Sequence, residues 1–261
     1  MQERHLNREI YFKEQVITTK KYVIPYLEDL IEINNETSVM EIGCGEGGNL
    51  MPFADIGCKR VVGVDLSENK INVAKKLFST HPNSDRIEFY DVGIYKVDDL
   101  GKFDLIILRD VIEHIHDQEK FMGYMQKFLH KKSKVFFAFP PWYNPFGGHQ
   151  QMCKSRILSK LPFFHILPNS IYGSILKGVG ESERTVNGLL EIKETGITIE
   201  RFEKILKRAG YKTDKKTYYF INPNYETKFN LKPRKQAKVI SSLPFIRNFF
   251  TTAAYYVVSP V

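Results

Sequence analysis

Between residues 36 and 140, short apolar runs end in turn residues and alternate with helical stretches. The runs are Ser38–Ile42, Arg60–Val64, 86–90, 103–108 and 134–139. The helical stretches are 67–78, with Ser67 as N-cap, and 117–130, capped by Asp117. Strands alternating with helices over about 100 residues predict an α/β fold with a parallel sheet and right-handed crossovers. Residues 8–32 read as helical, broken or kinked at Pro25. The rhythm stops at Pro140-Pro141 and resumes at 198–209, a helix closed by Gly210. Strands follow at 216–221 and 253–258.

The first strand runs into Gly43-Cys44-Gly45-Glu46-Gly47-Gly48. Glycines at a strand-to-helix turn take positive φ and let a ligand approach the backbone. The N–H groups of such a turn favour an anion. Asp65 ends the second strand, 18 residues after Gly47, where a carboxylate accepts hydrogen bonds from a ribose diol. Gly43, Gly45 and Gly48 also satisfy the dinucleotide pattern G-x-G-x-x-G, which by itself is a weak signal.

Composition excludes several classes. The hydrophobic fraction of 43% and charged fraction of 26% are those of a folded domain. The polar N-terminus argues against a secretory signal, and no run reaches the 18 or so apolar residues of a spanning helix. Cys44, Cys58 and Cys153 have neither metal-like nor disulfide-like spacing, so a cytoplasmic location is expected. The net charge of +8 is uneven. Residues 201–261 hold 13 basic and 3 acidic side chains, and residues 1–200 are slightly acidic. That is a local basic face rather than a nucleic-acid binder throughout.

Glu41, Gly43, Gly45 and Gly47 resemble motif I of the class I S-adenosylmethionine-dependent methyltransferases, [DE]-x-G-x-G-x-G. Residues 103–115, reading FDLIILRDVIEHI, resemble the strand-four segment of the same family, and Phe89-Tyr90-Asp91-Val92 its adenine-contacting segment. The resemblance implies a Rossmann-like, seven-stranded, mostly parallel sheet with helices on both faces and the last strand antiparallel. It also implies S-adenosylmethionine as cofactor. The Gly43–Cys44–Gly45–Gly47 backbone would then cradle the methionyl part, with Glu41 as the motif acid. Asp65 would hold the ribose hydroxyls, and Leu66, Asp91 and Val92 would meet the adenine. The Arg109 backbone would lie beside the methionyl amino group.

Asp110, Glu113 and His114 have the i, i+3, i+4 spacing that shares one face of a helical turn. Two carboxylates and an imidazole suit a divalent cation. Some relatives with E-x-x-E-H use one, whereas in many metal-independent relatives this segment is structural. A metal is therefore not expected here.

Residues 140–196 form a long insertion after the fifth strand, rich in aromatics, and are expected to be a lid over the substrate. The domain plan is then a helical segment 1–35 and a catalytic domain 36–261 with insertion 140–196 and basic connection 222–250. The expected activity is O-methylation of a small molecule of apolar or aromatic character. RNA, protein or a lipid-linked acceptor is the alternative, and a non-enzymatic cofactor-binding scaffold a further one. Histidine suits hydroxyl activation near neutral pH. His149 ranks first as base because Gly147-Gly148 allow a sharp turn toward the cofactor, His114 second and Tyr143 third. His5, His81 and His130 fall outside the expected site, His116 faces solvent, and His165 reads as a packed lid residue. Basic residues 228–238 beside the apolar stretch 243–250 allow a peripheral contact with an anionic membrane.

Overall fold

A computed structural model describes residues 8–97 and 99–261 of the chain; His5 lies outside the described residues. Helix α1 (Arg8–Thr18) passes through a wider π-type turn at Thr19–Val23 into α2 (Ile24–Leu27), and Pro25, which has no N–H to give to a preceding carbonyl, follows directly on that wide turn. Then come β1 (Ser38–Ile42), α3 (Met51–Ile56), β2 (Arg60–Val64), α4 (Glu68–Phe78), β3 (Ile87–Tyr90) and β4 (Phe103–Arg109). Helix α5 (Gln118–Met125) leads to β5 (Leu129–Phe139). The insertion holds α6 (Asn169–Gly178) and α7 (Glu183–Thr195). The chain continues through α8 (Ile199–Arg208), β6 (Tyr211–Ile221), α9 (Asn224–Phe229), β7 (Arg234–Lys235), α10 (Lys238–Ser241), α11 (Ile246–Phe249) and β8 (Ala253–Pro260).

The sheet order is β3-β2-β1-β4-β5-β8-β6-β7. Strands β1 to β5 pair in parallel, and β8 runs antiparallel between β5 and β6. The expected seven strands are present, and the two-residue β7 adds an eighth at the edge. Alternate residues serve opposite faces. Ile106 and Leu108 of β4, with Val135, Phe137 and Phe139 of β5, pack under α5 and α8. Leu105, Ile107 and Phe136 pack under α1 to α4.

Three expectations need correction. The helix capped by Asp117 stops at Met125 and a tight turn follows to Phe128, so His130 belongs to β5. The ladder of β5 shifts register between Phe103 and Leu105, where four residues of β5 are absorbed as a bulge held by Ser133 and His130. Ser67 occupies the N-cap position, but its hydroxyl makes no bond to the helix. The insertion is not irregular throughout, because α6 and α7 bury Tyr172, Leu176, Val186, Leu189 and Ile192 against Cys153, Leu158 and Phe164 as a core of their own.

Candidate active site

The glycine loop needs its glycines for geometry. Gly43, Gly45 and Gly47 have φ of 74°, 56° and 82°. A Cβ on Gly43 would lie 2.5 Å from Val111 Cγ2, and one on Gly47 would lie 3.1 Å from Phe89 Cζ. Gly48 serves another purpose: its missing Cβ admits α1, whose Phe12 carbonyl would stand 2.7 Å away. Asp65 clamps the loop, its Oδ2 accepting from the Gly45 N–H at 2.9 Å and its Oδ1 from the Ser67 N–H at 2.9 Å. Leu66 beside it is 82% exposed, an apolar side chain held in the open. Asp91 is exposed and Val92 half-buried against the core.

Behind the loop, Glu41 is fully buried and accepts one bond at 2.6 Å from the Asn49 side-chain amide. Burial pushes its carboxyl up to about 8, against the pull of Asn49 and Arg109. The Arg109 side chain is also buried. It donates to Thr19 Oγ1 at 3.0 Å, to Asn49 Oδ1, and to Asn224 Oδ1 at 2.6 Å. One guanidinium thus joins the N-terminal helices, the glycine loop and the start of α9. Sequence reasoning placed only the Arg109 backbone here and missed Tyr11, Thr19, Asn49 and Asn224. Of these, only Asn49 carried a local signal, its place directly after the glycine run.

In front of the loop, at the carboxyl ends of β4 and β5, lies a cavity of about 580 Å³. Lys70, Asp110, His114, Phe146, His149 and Tyr225 are among its lining residues. Tyr11, on α1, closes another side. Of the histidines among the described residues, only His114 and His149 face the cavity. His165 is buried with Nε2 2.8 Å from the Trp142 carbonyl, and His116 is exposed beside Glu191. Tyr143 is not among the residues lining the cavity; its ring stacks on Phe249 at 5.2 Å, against the C-terminal segment.

His149 itself takes the left-handed conformation, with φ of 54°. Gly147 and Gly148 are required for a reason other than a turn of positive φ: a Cβ would stand 2.2 Å from the Trp142 carbonyl oxygen at the first and 2.1 Å from His165 Cβ at the second. The His149 and His114 rings meet edge to face at 5.0 Å. Burial lowers both imidazoles, His149 to about 3, so both are neutral and each keeps a lone pair.

The expected helical face of Asp110, Glu113 and His114 does not form. Asp110 has φ of 54°, and only Ile112–His114 make a short 3₁₀ turn. The turn instead brings Glu113 and His114 to His149, with ligand atoms of the three within 4.8 Å of one another. Glu113 is buried, neither carboxylate oxygen has a hydrogen-bond partner among the described residues, and burial with the nearby Asp110 charge holds the carboxyl well above its ordinary value. An unpartnered buried carboxyl is costly, and a carboxylate facing two neutral imidazoles is a donor set that fits a divalent cation.

Residues 13–159 match a family model described as a methyltransferase domain. The ubiquinone biosynthesis O-methyltransferase of Pelagibacter ubique is 33% identical over 100 residues, which are 38% of this chain and 40% of that protein. The phosphoethanolamine N-methyltransferase 3 of Arabidopsis thaliana is 32% identical over 213 residues, 78% of this chain and 38% of that protein. The matches thus span two fifths or less of the length of these two curated relatives. Among solved structures, the magnesium protoporphyrin IX methyltransferase of Synechocystis PCC 6803 superimposes with a TM-score of 0.55 at 14% identity, covering 98% of this chain and 87% of that one. The geranyl diphosphate C-methyltransferase of Streptomyces coelicolor A3(2) gives 0.57 at 13% identity, covering 91% and 78%.

Proposed function

This chain belongs to the methyltransferase family, and from that premise we propose that it transfers the methyl group of S-adenosylmethionine to a hydroxyl of a small molecule with apolar or aromatic character. The observation that carries this reading is the cavity. It adjoins the glycine loop, presents Phe146, Met152 and Tyr225 beside polar groups, and its volume of about 580 Å³ suits one small acceptor. The cofactor's methionyl part would lie along Gly43–Gly47, its ribose on Asp65 and its adenine over Leu66, Asp91 and Val92.

In the reaction an acceptor oxygen forms a C–O bond to the methyl carbon as the C–S bond breaks. The electron pair stays on sulfur, which leaves as a neutral thioether and needs no acid. Holding the two reactants in line supplies most of the acceleration, about 7–11 kcal/mol in favourable cases. The hydroxyl proton passes to His149. The imidazolium so formed lies within 4.8 Å of the buried Glu113 carboxyl, which burial holds toward its neutral form and which the new positive charge would draw toward its charged form.

Transfer of radiolabelled methyl groups into fractionated cell extract tests this. Label in the small-molecule fraction supports the reading; label confined to RNA or protein overturns it.

A second reading rests on the unpartnered Glu113 carboxyl. Glu113, His114 and His149 would hold a divalent cation, which would lower the pKa of an acceptor hydroxyl as a Lewis acid. Calorimetric titration of metal-stripped protein with magnesium, manganese and zinc decides between them. Saturable binding lost in Glu113→Gln supports the cation, and its absence leaves His149 as proton acceptor alone.

A further inference from the structure

The segment from β7 to the start of β8 is folded inside out. Its polar residues Gln236, Arg247 and Asn248 are buried, while Val239, Leu243, Phe245, Ile246, Phe249 and Phe250 are exposed, Val239 by 75% and Phe245 by 64%. The inward groups are held by hydrogen bonds, Gln236 Oε1 excepted, which has no partner among the described residues. Arg247 donates to Glu200 at 2.9 Å and to Glu203 at 3.1 Å. Asn248 accepts from the Ile199 N–H at 2.9 Å and donates to Glu200 Oε2 at 2.7 Å. Gln236 donates to the Arg247 carbonyl at 2.9 Å. These bonds pin the segment to α8, so the outward apolar face is a fixed feature of the fold.

Phe245 shows that the backbone is strained to hold that face. It sits at φ 63°, ψ −48°, the centre of a γ-turn closed by Ile246 N–H to Pro244 O at 2.7 Å. This turn is rare and strained, and a bulky side chain with positive φ is an outlier. Strain of this kind persists where the site is used. The insertion contributes a second example, because Phe163 has φ of 61°, is exposed, and lies 6.1 Å from Phe249, on whose ring Tyr143 also stacks. Phe163 donates its N–H to the Pro145 carbonyl at 2.8 Å, and next to Pro145 is Phe146, a lining residue of the cavity. The apolar face therefore reaches the cavity rim.

Charge identifies the occupant. From Thr227 to Val261 the chain has six basic residues and no acidic one. Arg247 is turned inward, whereas Lys232, Arg234, Lys235 and Lys238 are exposed beside the aromatic face. Aromatic and aliphatic side chains ringed by cations match the acyl boundary and phosphate layer of an anionic bilayer. We infer that the β7–α11 segment and the tip of the insertion dock this protein on an anionic lipid surface, with the cavity rim turned toward the membrane. This stands apart from the methyl-transfer reading, since lipid docking and cofactor binding are measured separately.

The test is sedimentation of the full chain with phosphatidylcholine vesicles with and without phosphatidylglycerol, at low and at physiological salt. Binding is expected only with phosphatidylglycerol, and weaker as salt rises. Phe245→Gly relieves the γ-turn, so its melting temperature should equal or exceed that of the parent while vesicle partitioning falls roughly tenfold. The pair Lys235→Glu and Lys238→Glu should lower it as much or more. Affinity for S-adenosylhomocysteine should be unchanged in both variants. The inference is overturned by no vesicle binding, by equal binding to neutral vesicles, or by undiminished binding of Phe245→Gly; self-association that Phe245→Gly abolishes, in the absence of vesicle binding, would assign the face to a second copy of the chain instead.

Discussion

Glu41 and Arg109 stand on neighbouring strands and are joined through one amide, Asn49, which donates to Glu41 and accepts from Arg109. Each end of that amide meets the group it suits, so the buried acid and the buried guanidinium are held in fixed positions. The arrangement leaves Glu41 protonated below about pH 8.

A ligand ammonium placed near Glu41 would favour its charged form and expel that proton. Binding of S-adenosylhomocysteine near pH 7 should therefore release protons, and its apparent affinity should rise with pH and level off above about 8. Calorimetry in buffers of different ionisation enthalpy measures this directly. Equal enthalpies in all buffers would remove Glu41 from the cofactor's surroundings. The same group acts on stability. Its folded pKa exceeds the ordinary carboxylate value, so its contribution is greatest at acid pH and declines as pH rises toward 8. Glu41→Gln should flatten that decline in melting temperature.

Two glycine variants separate strain from collision. Gly43→Ala must move Val111 as well as tolerate positive φ, and should cost roughly 3 kcal/mol in denaturant unfolding. Gly45→Ala meets no atom nearer than 3.9 Å and should cost only about 1–2 kcal/mol. Equal losses at the two positions would contradict this account of the loop.

Asp65→Ala removes the acceptor of the Gly45 and Ser67 N–H groups together with the expected ribose contact. Affinity for S-adenosylhomocysteine should fall roughly 10- to 100-fold. NAD should bind neither protein. Calorimetry showing NAD binding to the parent would overturn the cofactor assignment.

His149→Ala should lower kcat by roughly 10²–10⁴ with cofactor affinity near that of the parent. Tyr143→Phe should leave kcat within about twofold, because its ring is stacked on Phe249 away from the cavity lining. Steady-state kinetics of the two variants on an identified acceptor check both. A large loss in Tyr143→Phe would mean that the insertion rearranges on substrate binding.

How far the chain could be read from its sequence follows from where each interaction lies. Strands β1 and β2 were legible to the residue, because each is an apolar run with glycine or aspartate at its end. The glycine loop and Asp65 were legible because their spacing is local. Thr19 and Asn224 were not: they meet Arg109 from 90 residues before it and 115 after. Periodicity tells which face of a helix is apolar, but not which strand end the helix crosses. Asp110, Glu113 and His114 misled for a related reason. Their spacing fits a helix, yet Asp110 takes positive φ, where its N–H bonds the Ala138 carbonyl at 2.8 Å, and the turn that follows delivers Glu113 and His114 to His149 instead. In the insertion, the spacing of Tyr172 and Leu176, and of Val186, Leu189 and Ile192, was helical all along, but prolines and glycines around it masked the pattern.

The place of β8 has a consequence for synthesis. Strands β5 and β6 do not pair with each other; β8 fills the gap between them. A growing chain can lay β1 to β5 side by side as they leave the ribosome, since each finds its partner among earlier residues. Strand β6 has no such partner waiting. Until residues 253–260 emerge, β5 presents an open apolar edge to its surroundings, and Asn224 has no fixed strand behind it from which to reach Arg109. The cofactor loop can thus be shaped early in translation, with Arg109 already held by Thr19 and Asn49, while its bond to Asn224 on the far side of the cavity forms only after β8 arrives.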